Sequence, residues 1–149
     1  MTNLLRSRPA GALLTAAIVG LTLGTAYIHL TLGGTSSFLG ILFLLNAAGF
    51  AGLAMLMVVA AAVPAPIVHR FSWLPRLALA GFTAMTIAGY LVMGPYFTLG
   101  WITKGIEVGI IALLVIDMVR VFGSPVGMVR TALASVAPVL PSRFRPEAG

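Results

Sequence analysis

Residues 38–63 read FLGILFLLNAAGFAGLAMLMVVAAAV, an apolar run without a charge that holds Asn46 and ends at Pro64-Ala65-Pro66. A run of this length is enough for a helix to cross the hydrocarbon core of a bilayer, and the two prolines stop it. Apolar stretches at 11–33, 77–93 and 102–121 flank it. The expected fold is therefore all-α, a four-helix transmembrane bundle spanning 11–121. A short cytoplasmic segment, 1–10, precedes it and a cytoplasmic tail, 122–149, follows.

Composition agrees: 60% of residues are hydrophobic and 8% charged, with a mean hydropathy of +1.09. Such a chain belongs in lipid. Four spans consume most of its 149 residues, so any site must be built from the helices or their turns. Cysteine is absent, which excludes disulfides, thiolate metal sites and a thiol nucleophile.

Threading the spans back and forth puts Arg6, Arg8, Arg70, Arg76, Arg120, Arg130, Arg143 and Arg145 on one side and leaves Lys104 alone in a short turn on the other. That is the positive-inside pattern, so both termini are expected in the cytoplasm (N-in/C-in). The net charge of +6 is spread over short segments, which points to anionic lipid headgroups on the cytoplasmic side and not to nucleic acid. The Arg-over-Lys bias amid Ala, Gly and Leu points to a GC-rich bacterial genome, and hence to a multi-pass protein of the plasma (inner) membrane.

Span one is read as an uncleaved helix. The rival is a signal peptide cut near Gly24-Thr25-Ala26, but the apolar run continues past a usual h-region through Tyr27, Ile28 and Leu30. Residues 33–37 form a tight turn, and the loop after span two carries His69, Arg70, Trp73 and Arg76. Tyr96, Phe97 and Trp101 make an aromatic belt at the second outer turn. After Ser124-Pro125, an N-cap and first helical residue, Val126, Val129, Leu133 and Val136 recur at helical spacing opposite Arg130 and Ser135. This predicts a short helix lying on the cytoplasmic surface.

Ionisable groups inside a bilayer are costly, so they mark where chemistry can sit. By helical rise, His29, Asn46, Tyr90, Lys104 and Glu107 reach similar depths and form a candidate outer-leaflet polar cluster. Asp117 lies near the inner end, three residues before Arg120, and reads as a structural partner for it. In projection Thr15, Thr22, Thr25 and His29 share one face of span one, with Gly20 and Gly24 opposite. Thr83, Thr86 and Tyr90 lie across span three from Gly81, Ala84 and Ala88, and Glu107 points away from Gly105, Gly109 and Ala112. The expectation is that polar stripes face inward and that Gly20, Gly24, Gly105 and Gly109 pack against other membrane subunits or a second copy.

His29 has three available roles: ligand to haem or a metal, proton relay with Glu107, or neutral partner of Asn46 or Tyr90. Paired-histidine haem ligation fails, because His69 lies about a bilayer away. A quinone pocket built on His29 and Tyr90 fits the chemistry, since such a ligand needs apolar walls and few polar groups. No phosphate loop, HExxH or GxSxG is present, and three acidic residues are too few for a divalent-metal cage.

At residues 27–33 (YIHLTLG) and 39–46 (LGILFLLN), the chain resembles small uncharacterised four-span bacterial membrane proteins, with a looser echo at 89–90 (GY) and 104–107 (KGIE). The resemblance implies no activity and favours His29 and Asn46 as a pair. Three functional readings follow. The first is a non-enzymatic accessory or assembly subunit of a membrane complex. The alternative is a haem- or quinone-binding redox or proton-transfer protein, and the third is a small transporter.

Overall fold

The computed structural model describes residues 8–34 and 37–136. Arg6, Arg143 and Arg145, turn residues Thr35 and Ser36, and the tail beyond 136 lie outside the described residues. Helix makes up 89% of what is described, with no strand, so all packing is helix on helix. The elements are α1 (Arg8–Leu32), α2 (Phe38–Ala62), α3 (Pro66–Arg70), α4 (Trp73–Met93), α5 (Thr98–Phe122) and α6 (Pro125–Val136).

Local chemistry sets the ends. Ser37 caps α2 by accepting the Gly40 N–H at 3.1 Å, and Ser124 caps α6 by accepting that of Gly127 at 2.8 Å, each satisfying an amide that the helix leaves open. Gly123 closes α5 at φ 79, in the left-handed region where a Cβ is costly.

Three helices, Pro9–Leu32, Phe38–Ala62 and Trp73–Met93, are long and apolar enough to cross a membrane. α5 matches α1 and α2 at 25 residues, about 37 Å of helix against a core of about 30 Å. It differs in carrying Lys104, Glu107, Asp117 and Arg120.

Helix α1 packs against α2 and α5, and α4 packs against the same two, while α6 lies against α5 and α4. The turns between α1 and α2 and between α4 and α5 share one end, called here the hairpin end; α3 and α6 mark the other. The arrangement inverts that of a water-soluble protein. Leu39, Ile41, Leu45, Met55 and Val92 are exposed, whereas Thr22, Thr25, Thr83, Glu107 and Asp117 are wholly buried. Ile18, Phe50, Met57, Leu79, Ile110 and Leu114 form an apolar layer midway, each at most 1% exposed. Gly49 lets the Phe82 ring seat against α2, where a Cβ would collide with it.

Two helix starts and one helix face differ from the sequence reading. Helix α4 starts at Trp73, not 77, because Pro75 falls in its first turn, where a missing N–H costs nothing. Arg76 and Trp73 are therefore helical, not loop residues. Helix α5 starts at Thr98, not 102, once Pro95 has been passed, so Lys104 is a helical residue inside the fold and not part of a turn. On α6 the two polar residues part company. Arg130 shares the exposed side with Val126, Val129 and Leu133, while Ser135 is buried against the other helices.

Candidate functional site

The hairpin end holds a buried polar cluster under an apolar cavity. On α5, Lys104 and Glu107 stand one turn apart, and the Lys104 ammonium lies 2.6 Å from both Glu107 carboxylate oxygens. The ammonium also faces the Thr86 carbonyl at 3.4 Å and the Tyr90 ring at 5.5 Å. From α4 the Thr86 hydroxyl sits 2.9 Å from Glu107 Oε2 and 2.8 Å from the Thr83 carbonyl, with one proton to give to either. Glu107 is 0% exposed and Lys104 8%. Burial raises the stakes of this pair, because either charge left alone would lack both water and partner.

Helix α1 brings His29 to the same carboxylate, with Nε2 4.0 Å from Glu107 Oε1. Its Nδ1–H donates to the Thr25 carbonyl at 2.9 Å. That bond fixes the tautomer, since a carbonyl only accepts. Two rings of α2 hold the imidazole, Phe43 at 5.9 Å and Phe50 at 5.6 Å between centroids.

Above this cluster is a cavity of about 290 Å³. His29, Asn46, Thr86, Tyr90 and Lys104 are among its polar lining, and Leu42, Phe43, Met85, Pro95 and Phe97 are among its apolar walls. The Tyr90 hydroxyl donates to the Phe97 carbonyl at 3.3 Å. Its ring meets Trp101 edge-on at 5.4 Å, and Tyr96 stacks on Trp101 at 6.1 Å. Gly100 makes room for Tyr90, since a Cβ there would strike the phenol.

The structure thus gathers His29, Lys104 and Glu107 at one carboxylate and sets Asn46 and Tyr90 on the cavity wall. Asn46 has no hydrogen bond to His29 and Tyr90 has none to Glu107 among the described residues. Sequence reasoning placed Thr86 on the polar stripe without seeing its bond to Glu107, and missed Phe43 and Phe50 entirely. Phe43 and Phe50 sit seven apart on one face of α2, the signal that was available.

The α6 end carries a second cluster. Asp117 accepts from Arg76 Nε at 2.7 Å and from Arg120 Nη2 at 2.7 Å and Nε at 3.1 Å. Arg76 also donates to the Ser72 carbonyl at 2.6 Å and lies over the Phe122 ring. The expected pairing with Arg120 is present, but Arg76, read as a loop residue, is 6% exposed and shares the carboxylate. Beside it Trp73 Nε1 donates to Ser135 Oγ at 2.9 Å, and Arg70 donates to the Ser135 carbonyl. These contacts pin α6 to α4 and to Arg70 of α3.

The glycines divide. Gly20, Gly24 and Gly105 face open space, where an added Cβ would meet nothing, whereas Gly109 points at Leu21 of α1. No group of three or more His, Cys, Asp or Glu is placed to hold a metal among the described residues. No family model, no curated protein and no solved structure matches this chain. Function rests on the geometry alone: a membrane-type helical protein with a small apolar cavity floored by buried charge.

Proposed function

We propose that this chain is a four-helix transmembrane bundle, N-in/C-in, in a bacterial plasma membrane. In this reading it is a non-enzymatic subunit whose outer-leaflet cavity holds a small lipophilic molecule of the quinone or quinol class. The span count is supported by α5, whose Lys104, Glu107 and Asp117 are all buried while Ile102, Val108, Val115 and Val119 face outward. A helix that hides its charges and shows its aliphatics suits lipid. Arg70, Arg120 and Arg130 at the α6 end, against Lys104 at the hairpin end, support the orientation.

The observation that carries ligand binding is the cavity of about 290 Å³, near the lower edge of small-molecule sites, with few convergent polar groups. A quinone-type ring is favoured over haem. An iron on His29 would have to take Nε2, the atom that faces Glu107 Oε1 at 4.0 Å, with the imidazole already held between Phe43 and Phe50. Binding is favoured over transport because the apolar layer of Ile18, Leu79, Ile110 and Leu114 separates the two polar clusters. Protein purified in mild detergent is expected to yield a stoichiometric lipophilic compound on organic extraction, and His29→Ala is expected to lose it. A colourless preparation whose extract holds no such compound overturns this reading.

The accessory-subunit part rests on Gly20, Gly24 and Gly105, whose open faces on neighbouring helices let another helix approach closely. Gly20→Leu is expected to shift the complex to a smaller size in size-exclusion chromatography with light scattering. An unchanged mass removes the assembly role.

A further inference from the structure

Resting on the ligand-binding reading above, we infer that the cavity selects a hydroxyl compound, a phenol or quinol, over the corresponding carbonyl or ether. His29 spends its Nδ1–H on the Thr25 carbonyl at 2.9 Å, so a ring that carries no second proton presents a lone pair at Nε2. That lone pair faces Glu107 Oε1 at 4.0 Å, and a carboxylate oxygen is also an acceptor. Two acceptors thus confront each other with no donor between them among the described residues.

The donors of α4 and α5 that reach this carboxylate are committed. Lys104 gives its protons to both Glu107 oxygens at 2.6 Å and approaches the Thr86 carbonyl at 3.4 Å. Thr86 has one proton, used on Glu107 or on the Thr83 carbonyl. Thr25 Oγ1, one turn along the same face of α1, is itself buried without a hydrogen-bond partner. Nothing among the described residues donates to Nε2, and a guest hydroxyl supplies that proton.

His29 and Lys104 both line the cavity, and both lie within 4.0 Å of the same Glu107 oxygen. A guest hydroxyl there donates to Nε2. A carbonyl or ether oxygen turns only lone pairs towards Nε2, which leaves that nitrogen unpaired. Aromatic walls at Phe43, Tyr90 and Phe97 favour a ring as the carrier of the hydroxyl.

The test uses the full chain in detergent and three probes of similar size: pentamethylphenol, its methyl ether pentamethylanisole, and duroquinone. Calorimetric titration is expected to show the phenol binding about tenfold or more tightly than either other probe, the value of one hydrogen bond to a buried acceptor. In His29→Phe, which keeps an aromatic ring between Phe43 and Phe50, the preference is expected to vanish. Equal affinities in the native protein overturn the hydroxyl inference and leave ligand binding standing. Binding by none of the three overturns both. A phenol preference that survives in His29→Phe overturns the role given to Nε2. The comparison of probes on the native chain decides the matter even where that variant fails to fold.

Discussion

Asp117→Leu is expected to destabilise the fold by about 3–5 kcal/mol, the range for breaking a buried ion pair by removing one partner. The carboxylate is 0% exposed and accepts three hydrogen bonds from two arginines. Without it Arg76 keeps only the Ser72 carbonyl and the face of Phe122. Arg120, with 20% of its side chain exposed, can turn to water or headgroups, so Arg76 is where the cost falls. Adding Arg76→Met to Asp117→Leu is therefore expected to recover most of the loss, because the stranded charge leaves with its partner. Thermal unfolding in detergent, followed by circular dichroism, measures both variants. A double variant no more stable than Asp117→Leu alone removes the account given for Arg76.

Glu107→Leu is expected to be comparably damaging at the hairpin end, for a different reason. Lys104 has one carboxylate within reach and is 8% exposed, and both residues sit on α5, so no helix shift can separate or rescue them. Glu107→Gln is expected to be milder, since the amide oxygen still accepts from Lys104 or Thr86. Glu107→Leu with Lys104→Met is expected to regain most of the stability. The same unfolding measurement orders the variants, and Glu107→Leu as stable as the native chain would show the pair to be dispensable.

How much of this was legible follows from where the partners sit. Lys104 with Glu107 and Asp117 with Arg120 are three apart on one helix, and helix geometry alone brings such residues together. The same geometry put Thr22, Thr25 and His29 on one face, and the structure buries all three. Arg76 was hidden because Ser72, Pro75 and its own charge imitate a loop, although Pro75 is harmless in a first turn. Its partner lies forty-one residues away, a distance that only the packing of α4 on α5 closes. Phe43 and Phe50 looked like two more apolar residues in a span already full of them. Nothing local distinguishes a ring that faces lipid from one that holds an imidazole. On α6 the capping signal at Ser124 was readable, whereas the inward turn of Ser135 depends on Trp73 and Arg70 from elsewhere in the chain.

The chain has two tryptophans, and the fold has put one at each end. Trp101 touches Tyr90 on the cavity wall, while Trp73 is hydrogen-bonded to Ser135 of α6. The native protein thus carries two tryptophan fluorophores with separate addresses. Silencing either with phenylalanine leaves the other as an unlabelled optical reporter, of the cavity wall on one side or of α6 docking on the other.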